Sequence, residues 1–281
     1  MQKIPLEAIR KAEKLRIQLG VKSSEIVDVF DICSNLDIMV RYTSISMEGM
    51  YIQGETNNTI LISNCRPIPR RIFTCAHELG HHVFNHGSQL DANFNEQSYT
   101  PEQLIEEQLV NIFAGALLIP ISRIYKEINL RKWLIPDLTS MNCFILSSLF
   151  GVGYQTIITN LKINKVISNS KATVLGTHTP KSILKSVYPN VVSLSHTKIF
   201  DAYCQPSFVE LEEGNYLIVN SELYNTSKYL ELLECSKFGF IYKAINSGVF
   251  VRNLNDNNTQ FRVSKKGYEG LINYRIKDDN D

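Results

Sequence analysis

Apolar residues recur three or four positions apart at Ala8, Ala12, Leu15 and Leu19. That spacing predicts a helix over 5–19, and Gly20 follows where helices commonly stop. Ser24 can cap a second helix running to about Asn35. The period then shortens. Segments 38–42, 50–53 and 59–62 have the composition of short strands, with Gly54 and Asn57-Asn58 supplying the turn between the last two. From Pro69 to His86 the pattern is helical again, with proline in the first turn, where a missing N–H costs little. The polar run 87–100 reads as a loop, after which Pro101 opens a helix that Pro120 ends. Residues 120–168 read as all-helical.

Further on, 208–211, 216–219, 239–244 and 249–252 carry strand composition. Turns at Glu213-Gly214 and 246–248 suggest two hairpins, 208–211 with 216–219 and 239–244 with 249–252. Phe238, Phe240, Tyr242 and Phe250 read as the core of that part, and the tail 278–281 as a frayed end. The fold class is α+β: helices around a small sheet, then a helical segment, then a mixed α/β or mainly β part.

A length of 281 residues suggests about two domains, and 44% hydrophobic with 20% charged residues excludes wholesale disorder. The net charge of +1 builds in no general attraction to nucleic acid or anionic membrane. The longest apolar run, 112–120, falls far short of a membrane span, and the acid-containing start MQKIPLEAIRKAEKL resembles neither a signal nor a transit peptide. A cytoplasmic protein without a membrane partner is expected. Cys33, Cys65, Cys75, Cys143, Cys204 and Cys235 stand singly, a pattern of buried free thiols and not of a disulfide framework or a cysteine metal site.

The chemistry sits in the helix after Pro69, at His77-Glu78-Leu79-Gly80-His81. Residues four apart on a helix share a face at about 5–6 Å between Cβ atoms, so two imidazoles can reach one metal ion. Glu78 is turned roughly 100° from His77. It suits a general base that takes a proton from water on the metal. Gly80 leaves space beside the ion. His82 and His86 point away and suit surface or supporting roles. A third ligand must come from Asp91, Glu96, Glu102, Glu106 or Glu107. The first two fall in the loop. Glu107 shares a helical face with Val110, Asn111, Ala114 and Leu118, and small Ala114 would admit the metal-bearing helix; Glu106 shares its face with Val110 and Phe113. Side-chain spacing favours Glu107 and leaves Glu106 open.

The stretch Arg71-Ile-Phe-Thr-Cys-Ala-His-Glu-Leu-Gly-His-His, with Glu107-Gln-Leu-Val-Asn-Ile-Phe-Ala-Gly-Ala-Leu-Leu-Ile-Pro, resembles the ImmA/IrrE family of zinc metallopeptidases. The second stretch there usually runs E-x-x-A-N-x-F-A-A-x-L-L-M-P, and Asn64 also fits the family's habit. The resemblance implies a zincin-like core over 1–120, with Zn2+ held by His77, His81 and Glu107 and Glu78 as the catalytic base. Val110, Gly115, Ile119 and Cys75 depart from the pattern, and Val110 beside Glu107 would crowd the site. The implied activity is endoproteolysis of a helix-turn-helix repressor supplied as a separate chain, derepressing stress or mobile-element genes. A regulator that uses the zinc fold as a scaffold without cleaving is the alternative.

Residues 121–168 hold a helix-turn-helix outline at 146–161, with Gln155, Thr156, Thr159, Asn160 and Lys162 facing outward. Six Lys/Arg against two Asp/Glu and no arginine on the outer face predict weak or absent DNA binding and a packing or docking role. Residues 169–281 are expected to form a sensing or docking domain without a second catalytic centre, since His178 and His196 stand alone.

Overall fold

The apolar stripe of the first helix, α1 (Lys3–Gln18), buries Ala8, Ala12 and Leu15, and Gly20 at φ +69° ends it as expected. The structure is a computed structural model describing residues 3–91, 100–188, 196–236 and 239–276. The second helix, α2 (Val29–Asn35), starts later than Ser24 because Asp28 is its cap, accepting from the Phe30 N–H at 2.9 Å. The preceding loop is held by the Arg16 guanidinium, which donates to the carbonyls of Lys22 and Glu25.

Three strands follow, β1 (Ile38–Thr43), β2 (Gly49–Ile52) and β3 (Asn58–Ser63), then α3 (Ile68–Phe84). In β1 the alternate side chains Ile38, Val40 and Tyr42 are buried, as a period of two requires. The region expected as loop contains a short strand, β4 (Gln89–Asp91), antiparallel to β2. Next comes α4 (Pro101–Leu118), whose Thr100 cap and Gln103 form a reciprocal capping box. Helix α4 packs against both α1 and α3. The sheet order is β12-β1-β3-β2-β4, where β12 (Gly270–Leu271) returns from the far end of the chain to pair antiparallel with β1. Asn64 secures that return, its Nδ2 donating to the carbonyls of Gly267 and Tyr268 at 3.0 and 3.3 Å.

The chain divides into two compact units, 1–124 with 267–274 and 125–266 with 275–281. After α5 (Ile121–Leu130), the second unit holds α6 (Ser140–Phe150), α7 (Tyr154–Ile163), α8 (Asn169–Gly176) and α9 (Pro180–Val187). The expected division at 168 has no counterpart in this partition. Ser168 caps α8, and Tyr154 Oη donates to the Leu175 carbonyl at 2.9 Å, so the helices on either side pack as one body. Helices α6 and α7 meet at 101° around left-handed Gly151, a helix-turn-helix angle, but residues 143–150 of α6 are all buried.

The strands of this unit are β5 (Thr197–Phe200), β6 (Phe208–Glu212), β7 (Tyr216–Val219), β8 (Leu230–Ser236), β9 (Gly239–Ala244), β10 (Gly248–Leu254) and β11 (Asn257–Ser264). They form two sheets, β10-β11-β6 and β5-β7-β9-β8. Neither expected hairpin exists: β6 and β7 lie in different sheets, as do β9 and β10. The consecutive antiparallel pairs are β8–β9 and β10–β11, the latter turning on Asn255 and Asp256 at φ 52° and 63°. Two adjacent positive φ values match the right-handed twist of a tight hairpin, and Asn and Asp tolerate them. Tyr242 and Phe250 are core residues as expected and Phe240 is half-buried; Phe238 and the 278–281 tail lie outside the described residues. All six cysteines are free, but Cys65 and Cys235 are exposed, contrary to expectation, because each sits on a turn or an edge strand. Among the described residues no single helix is long and apolar enough to cross a membrane.

Candidate metal centre

Helix α3 begins at Pro67-Ile68-Pro69, where two prolines fix φ and cost no intrahelical bond. It is buried all round from Thr74 to His81 because the sheet strands β2 and β3 pack on one side and α4 on another. A helix in that position holds its side chains rigidly. His77 and His81 are 5% and 1% exposed, and their Nε2 atoms stand 3.2 Å apart. The rings meet edge to face with centroids at 5.0 Å.

Of the five acidic candidates, α4 delivers Glu107. Its Oε2 lies 3.2 Å from His77 Nε2 and its Oε1 3.4 Å from His81 Nε2. Glu102 is exposed, Glu106 is not part of the group, and Glu96 and the Asp91 side chain lie outside the described residues. Among the described residues His77, His81 and Glu107 are the group of donors close enough to share one ion. Burial alone would raise the Glu107 carboxyl, but hydrogen bonds and charge from the two imidazoles outweigh it and hold it at about 2.

The dimensions fit a small cation. Corners of a tetrahedron about 2.1 Å from its centre stand roughly 3.4 Å apart, and the donor separations here are 3.2, 3.2 and 3.4 Å. The hydrogen bonding agrees. Asn111, one turn beyond Glu107, sets its Oδ1 3.2 Å from His77 Nδ1. With the proton held on Nδ1, Nε2 is the nitrogen that would give its lone pair to an ion, in place of the hydrogen bond it makes to Glu107 without one.

Glu78 is fully buried and faces β2 at Gly49. A methyl group on Gly49 would stand 3.0 Å from Glu78 Oε1 and 2.5 Å from Thr74 Cγ2, so the glycine clears the space that the carboxylate occupies. Gly80 has a different part from the one expected. A methyl there would meet Val110 Cβ at 2.9 Å and Phe113 Cδ1 at 3.2 Å. The glycine makes room for α4, not for an ion, and Val110 fills that notch instead of crowding Glu107.

The two flanking histidines both support neighbours. His82 Nδ1 lies 2.8 Å from Tyr51 Oη, and His86 Nδ1 lies 3.1 Å from His81 Nδ1. Burial pushes both imidazoles below their usual range. Sequence reasoning missed the parts of Gly49 and Asn111, and gave His86 a surface or supporting role without naming His81 as its partner. Asn111 had a signal, since it follows Glu107 by four on one helix face. Gly49 had none, because its contact with Glu78 spans 29 positions of chain.

Residues 33–162 match the peptidase family model described as the IrrE N-terminal-like domain. No curated protein matches the chain. Among solved structures, a Mycobacterium tuberculosis transcriptional regulator is similar at 16% identity with a TM-score of 0.35, over 57% of this chain and 47% of that one. This chain thus spans about half of that protein's length, and the likeness carries no argument. Residues 33–162, just under half of the chain, thus match the ImmA/IrrE family through its IrrE N-terminal-like domain.

Proposed function

We propose that this chain is a cytoplasmic, zinc-dependent endopeptidase, with His77, His81 and Glu107 as zinc ligands and Glu78 as general base. The observation that carries the reading is the triangle of donor atoms at 3.2–3.4 Å, beside a buried glutamate on the same helix. Zinc in a three-ligand site supplies Lewis acidity, polarising a carbonyl and lowering the pKa of water. The chain's own residues do the rest. Glu78 takes the proton of the attacking water on its carboxylate and returns it to the leaving nitrogen as the peptide bond breaks. Asn111 holds His77 in the required tautomer, and Gly49 with Thr74 keeps the Glu78 carboxylate in place.

The substrate is a protein, and by family resemblance a helix-turn-helix repressor supplied as a separate chain. The second unit senses or docks, and binds DNA weakly or not at all. The outward residue Gln155 supports that last point, because its Nε2 donates to the Gly176 carbonyl at 2.9 Å instead of standing available to a base edge.

The test is metal analysis of the purified full chain together with a cleavage assay on the repressor encoded beside its gene. One zinc per chain is expected. His77→Ala, His81→Ala and Glu107→Ala lose metal and activity, and Glu106→Gln loses neither. Glu78→Gln keeps zinc while cleavage falls about 10²–10⁴-fold. Cleavage by Glu78→Gln at the wild-type rate would move Glu78 to a structural role and favour a non-cleaving scaffold.

A further inference from the structure

Each imidazole of the His77/His81 pair has a second nitrogen, and the fold gives each one a partner on a different segment. For His77 the partner is Asn111 on α4. For His81 it comes from the way α3 ends. Asn85 adopts φ 57°, ψ 42°, and its N–H bonds the His82 carbonyl at 3.1 Å while the His86 N–H bonds the His81 carbonyl at 3.0 Å. This pair of bonds is a left-handed helix stop, which folds the residue after the turn back over the residue five earlier. At such stops that contact is frequently apolar. Here it is imidazole to imidazole, with the two Nδ1 atoms 3.1 Å apart and ring centroids at 5.3 Å. Phe84 stacks on His86 with ring centroids at 5.5 Å and planes at 25°, so both backbone and ring of His86 are restrained.

We propose that His86 is a positioning residue for the metal centre: its Nδ1 accepts the Nδ1 proton of His81 and so fixes the tautomer that leaves His81 Nε2 deprotonated for the ion. The chemistry balances with the proton of His86 on its own Nε2, and the arrangement repeats at His81 what the Asn111 carbonyl does at His77. Partners of this kind orient ligating imidazoles and raise their basicity, and their loss typically costs 10–100-fold in metal affinity. The inference rests on the zinc reading above, and no step of the cleavage reaction is assigned to His86.

The experiment is zinc affinity of the full chain, measured by competition with a chromophoric chelator for wild type, His86→Phe and His86→Asn. His86→Phe keeps a ring against Phe84 but removes the acceptor, and is expected to bind zinc about 10–100-fold more weakly. His86→Asn restores an acceptor oxygen and is expected to recover most of the loss, which a merely structural role would not explain. Equal affinity in wild type and His86→Phe overturns the proposal, as does an asparagine variant no better than the phenylalanine one. Should His86→Phe fail to fold, nitrogen NMR of zinc-loaded wild type decides. A protected His81 Nδ1 proton coupled to His86 Nδ1 supports the role, and rapid exchange of that proton overturns it. Wild-type chain that takes up no zinc overturns the metal reading as well, which separates the two failures.

Discussion

Substituting Gly80 by alanine tests whether the α3–α4 approach sets the metal centre. In an ordinary helix interior the change stabilises by about 1 kcal/mol. Here the new methyl would stand 2.9 Å from Val110 Cβ, 3.0 Å from Val110 Cγ1 and 3.2 Å from Phe113 Cδ1. Carbon pairs rest at about 3.5–4.0 Å, and Cβ atoms cannot swing aside, so the helices must separate by roughly 0.5–1 Å. Overpacking of that kind costs about 1–3 kcal/mol, which outweighs the helix gain and leaves a net loss of about 1 kcal/mol. Val110→Ala alone removes two buried carbons and costs about 2 kcal/mol. In the double variant Val110 Cγ1 is gone while Val110 Cβ and Phe113 Cδ1 remain, so part of the overpacking is relieved and the two losses fall short of adding. A favourable coupling of about 0.5–1 kcal/mol is expected in the double-mutant cycle. Denaturant unfolding of the metal-free chain, followed by far-ultraviolet circular dichroism, measures it. Zinc affinity should follow the same pattern, since Glu107 rides on α4 and a site tolerates about 0.5 Å of displacement. Additivity of the two substitutions, or a Gly80→Ala protein that gains the full helix increment, would refute the reasoning.

Gly49→Ala should lower cleavage at least 10-fold with zinc content unchanged, because the methyl displaces Glu78 and not the ligands; Thr74→Ser, which removes the nearest carbon, should return part of the activity. Unaltered cleavage in Gly49→Ala would detach Glu78 from its β2 neighbour. Lys198 is 7% exposed, and burial lowers its ammonium to about 8 against 10.5, with Glu210 pulling it back up. A base whose folded pKa lies below its unfolded value lets the unfolded chain hold more protons between those limits, so wild-type stability rises from pH 8 to 10.5. Lys198→Met escapes that penalty. It should exceed wild type by up to about 3 kcal/mol at pH 7, and the gap should close by pH 10.5. An equal gap at pH 7 and pH 10 would show that lysine ionisation is not its source.

The candidate site was legible where its logic is local. His77, Glu78 and His81 are fixed by helical spacing, and the helix is announced by its prolines and apolar face. Glu107 needed family resemblance to separate it from Glu106, since both lie on one helix and only the crossing of α4 over α3 selects the face. That crossing depends on Gly80 meeting Val110, a pairing across 30 positions that no window of periodicity spans. The Asn85 turn carried a readable signal, as asparagine is a common second choice for a left-handed helix stop. The β-rich part shows the opposite balance. Its strand segments at 216–219 and 239–244 stand where composition put them. Their partners do not, because strand composition is silent about which strand lies alongside. Parallel pairs such as β5–β7 and β6–β11 leave no turn between neighbours to read.

The return of β12 to the first sheet makes the unit that holds the candidate metal centre discontinuous in the chain. During synthesis the ribosome delivers α1 to α4 first, with the β1 edge of their sheet still open. Residues 125–266 must all be made before Gly270 and Leu271 can cover that edge and Asn64 can grip Gly267 and Tyr268. At about 5–20 residues per second this interval lasts on the order of 10 s. Throughout it the nascent unit carries an unpaired strand edge, the kind of edge that invites pairing with another chain. Completion of this sheet is therefore timed by the elongation of residues 125–266, and a chain released early keeps the helix of His77 and His81 but lacks the strand that seals its sheet.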